Sequence, residues 1–244
     1  MAKPILVEHA HSILNITLNR PRLGNLMTAA MIRQLTEAIG TVKRGSGTRA
    51  VVIRAKGKDF CLGRDNRTDQ SKTPRPHTAW DMHERVTSLI LDSYAACRNC
   101  PVPVIAVVQG HAKGFGSGIV GACDMALAAD SAVFSTPEML HGITPTLVMT
   151  ALQDVNRKTL VDMVYSGEPI DAATALSVGL VGRIVAADAL AEADEKLCAT
   201  LRSYDAVGVE VMKGFLSKPG RLQPDDLSQL ADFTLAAAFT RPRD

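Results

Sequence analysis

The stretch 104–121, VIAVVQGHAKGFGSGIVG, constrains the fold of this chain more than any other segment. An apolar run of strand character ends at a glycine turn, and a second glycine cluster opens a helix. A unit of this kind presents backbone N–H groups, with the positive end of a helix behind them, to a developing negative charge. A similar arrangement lies upstream, where AVVIRA (Ala50–Ala55) runs through residues 56–59 into Phe60-Cys61-Leu62-Gly63-Arg64-Asp65. Two strand-to-turn units that each aim one N–H at one oxygen predict an oxyanion hole built from main chain.

The 244 residues, 46% of them apolar, support one large core or a core with a small appendage. The 27 basic and 25 acidic side chains leave a net charge of +2, so no basic field points to nucleic acid. An aromatic content of 4% gives no platform for stacking bases. No apolar run approaches the roughly 18 residues of a membrane span. The opening MAKPILVEH lacks the apolar segment of a signal peptide. Five cysteines in a chain of this length are not a disulfide framework, so a reducing, cytoplasmic setting is expected.

Strands are expected at 5–8 and 12–18, followed by a helix over 29–43 that Thr28 caps and that carries Met31, Leu35, Ile39 and Val42 on one face. A strand at 49–54 precedes the first candidate loop. The polar, proline-containing segment 69–77 reads as a mobile loop. A helix over 80–97 has Met82, Val86, Leu89, Ile90 and Tyr94 at helical spacing, and leads to the strand Val104–Val108. Strands at Met125–Ala129 and 132–135, a helical turn at Pro137–His141, short helices at 146–154, 158–166 and 171–178, and a strand at Arg183–Val185 follow. The chain is then helical, with breaks near Tyr204-Asp205 and Pro219-Gly220. This order predicts an α/β core over 1–187 and a helical C-terminal region over 188–244.

Gly116-Ser117-Gly118-Ile119-Val120-Gly121 has the G-x-G-x-x-G spacing. A dinucleotide site also needs the strand to run directly into the motif and an acidic residue about 20 positions on. Here the strand ends several residues early and Asp130 comes too soon. Close helix packing explains these glycines better than a dinucleotide does, and the upstream partner loop favours an oxyanion site over both. Ser117 lies outside the G-x-S-x-G elbow of hydrolases. Cys97 and Cys100 form a lone C-x-x-C at the end of a helix, where neither zinc nor redox chemistry is favoured. His9 and His11 read as solvated turn residues, and His141 as a backbone partner in its own turn. Glu138 directly follows Phe134-Ser135-Thr136-Pro137, and its spacing alone describes a solvated acid at a helix start.

Taken together, these segments resemble the crotonase (enoyl-CoA hydratase/isomerase) superfamily over nearly the whole chain. The resemblance rests on Asn19-Arg20-Pro21 with Asn25, on the Phe60–Asp65 F-x-x-G-x-D loop, and on Gly110-His111-Ala112-Lys113-Gly114-Phe115-Gly116. It continues through Cys123-Asp124, Phe134 and Pro137-Glu138 to Gly179-Leu180-Val181. It implies a spiral ββα core acting on an acyl-CoA, with no permanently bound cofactor, no metal, and coenzyme A entering as part of the substrate. The implied oxyanion donors are the N–H groups of Arg64 and Phe115, and the implied catalytic acid/base is Glu138. The implied substrate contacts are Asn25, Cys61, Gly63, Asp65, Gly114 and Gly118, with Arg22, Lys56 and Lys58 as candidates for the CoA phosphates. A homotrimer or dimer of trimers is also implied, with no nucleic-acid or membrane partner.

The sequence departs from the family's hydratases at Gly118, where a second glutamate would stand. One carboxylate above an enolate can move a proton along the acyl chain without splitting water. The expectation is therefore an isomerase-like reaction, with room freed at Gly118 and with Asp81, His83 and Glu84 as alternative polar groups. A hydratase or acyl-thioester decarboxylase that uses other polar groups, and a non-catalytic acyl-CoA binding protein, are the competing readings. Two further departures are the run 143–149, ITPTLVM, in place of a glycine-rich segment, and a chain that stops at 241–244 where relatives continue into a final helix.

Overall fold

In the computed structural model, residues 3–65, 78–217 and 223–240 are described. The chain begins with a hairpin of β1 (Ile5–Ala10) and β2 (Ile13–Leu18), turned by His11 and Ser12 at φ 48° and 61°. Two consecutive left-handed residues match the twist of a tight hairpin, so β1 runs two residues beyond the expected end. Helix α1 (Ala29–Gly40) starts at Thr28, whose Oγ1 accepts from the N–H of Met31 at 3.2 Å, and buries Met31, Ile32, Leu35 and Ile39. Strand β3 (Ala50–Ala55) follows. The expected loop at 69–77 lies outside the described residues. A helical turn Ala79–Met82 and a π-helical turn His83–Thr87 then lead into α2 (Ser88–Asn99), so the single helix expected over 80–97 is divided.

Strand β4 (Val104–Val108), buried at every position, continues through β5 (His111–Lys113) into α3 (Phe115–Ala122), then β6 (Met125–Ala129) and β7 (Val133–Ser135). The turn Pro137–His141 is 3-10 helical. Short α4 (Thr146–Met149), α5 (Arg157–Ser166), β8 (Ile170–Asp171), α6 (Ala172–Ser177) and β9 (Arg183–Val185) complete the α/β part. Helices α7 (Leu190–Ser203), α8 (Ala206–Leu216) and α9 (Pro224–Thr240) follow.

Two sheets result. The larger has the order β1-β2-β3-β4-β6-β9, antiparallel in the hairpin and parallel from β2 onward. Its register aligns Ile16, Ile53, Ala106 and Ala126 in one row across the sheet, and this face packs into the main core beneath α1, α2 and α3. The opposite face, through Val52 and Ile105, packs on Leu197, Cys198 and Leu201 of α7. Burial on both faces explains why β4 is apolar throughout instead of alternating. Arg54 fastens α7 to β3 by pairing with Asp194, and Lys213 fastens α8 by pairing with Asp124. The smaller sheet pairs β5 parallel to β7 and β7 antiparallel to β8. Its strands of two and three residues carry no readable periodicity, and β5 reads in the sequence as part of a glycine loop.

Candidate functional site

Both glycine loops leave the carboxyl ends of adjacent parallel strands, β3 and β4, where open α/β sheets present ligands. The first loop is held by two single-residue bridges. Met27 pairs with Arg64 through Met27 N to Gly63 O at 2.9 Å and Asp65 N to Met27 O at 2.8 Å. In a parallel bridge of this form the Arg64 N–H is turned to the opposite side of the ladder. Cys61 pairs with Ala112 through Cys61 N to His111 O at 3.0 Å and Lys113 N to Cys61 O at 2.9 Å, which ties the two loops together. Asp59 adds a clamp, accepting from the N–H of His111 at 3.1 Å and pairing with its Nδ1 at 2.7 Å.

The glycines let these segments approach. A Cβ at Gly63, whose φ is 110°, would lie 3.4 Å from Lys113 O, and one at Gly116 would overlap the Cys61 carbonyl. Phe115 is the first residue of α3, so its N–H is among those a helix leaves without an intrahelical acceptor. Ser117, fully buried, shares its one hydroxyl proton between Ala112 O at 2.7 Å and Ser135 O at 2.9 Å, so its hydroxyl binds β5 to β7.

Gly114 N donates to Ser135 O at 2.9 Å, continuing the β5–β7 pairing one residue past β5. Pro137 then opens the 3-10 turn, and Glu138 swings back across Gly114. A Cβ on Gly114, φ 52°, would lie 2.5 Å from Glu138 Oε1. Arg64, Phe115, Gly63, Gly114 and Glu138 thus line one cavity of ≈ 340 Å³, closed on the other side by Val86, Ile90 and Tyr94 and by 143–148. Glu138 is the single carboxylate among its described lining residues. Its Oε2 is buried with no hydrogen-bond partner. Burial pushes the Glu138 carboxyl above the usual glutamate range, against weaker opposing effects of its own backbone N–H and of His141.

The remaining expected contacts do not reach the cavity wall. Asn25 is fully buried, with Nδ2 donating to Lys56 O at 2.9 Å and Asp59 O at 2.8 Å and Oδ1 accepting from Arg20 N at 2.8 Å, so it braces the loop from behind. Asp65 is buried and paired with Arg20 at 3.1 Å. The Cys61 thiol is buried, pushed up to about 12, and donates to Gly63 O at 3.6 Å. Arg22 is exposed on the turn Pro21–Leu23. Asp81, His83 and Glu84 are absent from the lining, and this element supplies apolar Val86 and Ile90 instead. Gly118 frees no space: a Cβ there would collide with the Tyr94 hydroxyl, 2.5 Å from Cζ, and would lie 2.8 Å from Val148 Cγ2. Tyr94 is the site residue that sequence reasoning missed. Its helical spacing marks it as core, and only the fold shows where its hydroxyl ends.

The sequence profile of the enoyl-CoA hydratase/isomerase family matches residues 8–231. The chain belongs to this family, the crotonase superfamily. It is 31% identical over 217 residues to the rat enoyl-CoA hydratase domain-containing protein 3, covering 88% of this chain and 70% of that one. The mouse counterpart is 32% identical and is covered over 65% of its length. The solved enoyl-CoA hydratase of Mycobacterium smegmatis superposes with a TM-score of 0.90 at 29% identity, over 99% of this chain and 93% of that one. A Thermobifida fusca relative solved in complex with CoA superposes with a TM-score of 0.86 at 26% identity, over 97% and 93%. The fold is the crotonase α/β core with a helical C-terminal region, and the family's activity is acyl-CoA processing. The expected cytoplasmic setting is corrected by these relatives: the rat, mouse and human proteins are named as mitochondrial. That expectation rested on cysteine usage, which does not distinguish one compartment from another. Among the described residues no cluster of His, Cys, Asp or Glu could hold a metal, and no helix is long and apolar enough to cross a membrane.

Proposed function

We propose that this chain is an acyl-CoA isomerase that works through a thioester enolate. The thioester oxygen sits between the N–H groups of Arg64 and Phe115. Glu138 as carboxylate removes a proton from C2 of a 3-enoyl thioester, and the C–H electron pair moves through the conjugated system onto the thioester oxygen. The carboxylic acid then returns the proton at C4, the electrons move back, and the 2-enoyl thioester leaves with Glu138 again ionised. Two preorganised donors hold the charge while it exists; removal of one such donor typically costs about 10²–10³ in rate.

The observation that carries this reading is the Glu138 carboxyl: the single carboxylate among the described lining residues, buried at Oε2 without a partner, and raised in pKa by burial. A base poised nearer neutrality than an ordinary carboxylate suits proton transfer at carbon. With Gly118 in place of a second acid, water addition lacks its partner group. Coenzyme A enters with the substrate, as the CoA-bound relative suggests, and exposed Arg22, Lys56 and Lys58 meet its phosphates. The exposed apolar residues Met212, Leu216, Phe233 and Leu235 on α8 and α9 support assembly into a homotrimer or a dimer of trimers.

The test compares wild type with Glu138→Gln on a 3-enoyl-CoA, a 2-enoyl-CoA and a saturated acyl-CoA in deuterated water. Wild type is expected to shift the 3-enoyl double bond and to exchange the α-proton, and the variant to do neither. Rapid hydration of the 2-enoyl-CoA by Glu138→Gln, or unchanged α-exchange, would refute the assignment.

A further inference from the structure

Tyr94 is fully buried, and its ring stacks on Phe115 with centroids 5.5 Å apart and planes inclined by 24°. Its Oη presses on Gly118, in the place a side chain at 118 would take, and has no hydrogen-bond partner. It lines the same cavity as Glu138. Gly118 N donates to Gly114 O at 2.9 Å, so the carboxyl against Gly114 and the hydroxyl against Gly118 lie one helical turn apart along α3. Phenylalanine would keep the ring on Phe115 and leave only a hydroxyl-sized gap over Gly118, without burying an unsatisfied hydroxyl, which is unfavourable in a dry site. A hydroxyl kept there calls for a partner that comes with the ligand.

The groups around Oη fix what it can do. Burial, then the charges of Glu138, Cys61 and Cys97, hold the phenol protonated far above its ordinary range, with Arg98 opposing. Tyr94 therefore donates a hydrogen bond and keeps its proton.

We infer that Tyr94 is a specificity-determining residue whose hydroxyl receives an oxygen carried on the acyl chain beyond the α-carbon, so that the site takes hydroxylated acyl thioesters over plain hydrocarbon ones. This rests on the reading above, which seats the thioester carbonyl at Arg64 and Phe115 and so directs the chain along α3 toward Gly118. A site built to bond a substrate oxygen rejects the analogue that lacks it, because its own polar group is then left unpaired.

Calorimetric titration of wild type and Tyr94→Phe with butyryl-CoA, 3-hydroxybutyryl-CoA and 4-hydroxybutyryl-CoA tests the proposal. Wild type is expected to bind at least one hydroxylated ligand about ten-fold or more tighter than butyryl-CoA, and Tyr94→Phe to lose that preference. Equal affinities in wild type, or a preference that survives in Tyr94→Phe, would overturn it. Should the variant fail to fold, wild type labelled with ¹³Cζ-tyrosine tests the same point. The chain has three tyrosines and the other two are exposed; the buried resonance must respond to a hydroxylated ligand and not to butyryl-CoA, and a null response overturns the proposal. Exchange of the α-proton by wild type is scored in parallel on butyryl-CoA and on both hydroxylated ligands. Its absence from all three defeats the enolate reading, whereas its presence without a hydroxyl preference defeats only the role of Tyr94.

Discussion

Gly114 is where the backbone and the carboxyl meet, and Gly114→Ala separates their contributions. The φ of 52° belongs to a region that residues with a Cβ seldom adopt, and the new methyl would lie 2.5 Å from Glu138 Oε1 and 3.2 Å from its Cδ. Holding alanine in that conformation costs about 1–3 kcal/mol, which in a chain of this size lowers Tm by about 2–12 °C. The methyl and the carboxyl cannot share the space, so Glu138 must withdraw. A misplacement of about 1 Å at the reacting centre costs about 10²-fold in rate. The assay is α-proton exchange of an acyl-CoA in deuterated water, followed by NMR, beside thermal unfolding. Gly45→Ala is the control. Gly45 also has positive φ, 74°, with nothing within 4 Å of a built Cβ, so it should lose about 1–2 kcal/mol of stability and no exchange activity. If Gly114→Ala loses stability but exchanges as fast as wild type, the proton is not handled by a carboxyl held against Gly114 and the reasoning fails.

The raised pKa of Glu138 has a stability consequence of definite sign. The folded state binds this proton more readily than the unfolded chain, so the carboxyl contributes most below the ordinary glutamate pKa, and that contribution is lost as pH rises through the raised folded value. Glu138→Gln is therefore expected to melt higher than wild type at neutral pH, with the gap closing in acid; a gap that widens in acid contradicts the burial argument. By the same shift, exchange by wild type should rise with pH through a midpoint above the usual glutamate value. Gly118→Glu should not install a hydratase. Overpacking against the Tyr94 hydroxyl and Val148 costs about 1–3 kcal/mol, visible in denaturant unfolding, and Tyr94→Ala added to it should recover part of that loss; a fully stable Gly118→Glu would show that Tyr94 does not occupy the space.

What was legible in the sequence is what local chemistry fixes. Thr28 caps α1, the apolar spacing of Met31, Leu35 and Ile39 faces the core, and β4 is buried on both sides as its unbroken apolar run requires. The family pattern brought Arg64, Phe115 and Glu138 into one hypothesis, and the fold brings them to one cavity. Three things were not legible, each for a tertiary reason. The small sheet is too short to show a period of two. Asn25 and Asp65 lie in motif positions, but whether they face ligand or brace a loop depends on distant partners. For Asn25 these are the carbonyls of Lys56 and Asp59, 31 and 34 residues away, and for Asp65 the guanidinium of Arg20. Tyr94 and Gly118 are 24 positions apart, so no local pattern reveals that one fills the space the other leaves.

The position of Glu138 follows from strand register, and this gives the sharpest structural test. Judged by spacing, a glutamate after Pro137 belongs on a solvated helix start. It turns inward because β7 pairs with β5 as Ala112 with Phe134 and Lys113 with Ser135, and because Ser135 O then accepts from Gly114 N. From that fixed point only Thr136 and Pro137 intervene before Glu138, whose carboxyl lies against Gly114. One alanine inserted between Ser135 and Pro137 leaves the pairing of β5 with β7 untouched while displacing everything after it. The Phe134 and Ser117 contacts that hold the sheet remain, so the variant should fold with a modest loss of stability, read by thermal unfolding. The carboxyl should leave Gly114, and α-proton exchange should fall to the level of Glu138→Gln. Exchange that survives the insertion would mean that the acid reaches the substrate by some route other than the register, and the link from a two-stranded pairing to the chemistry would be broken.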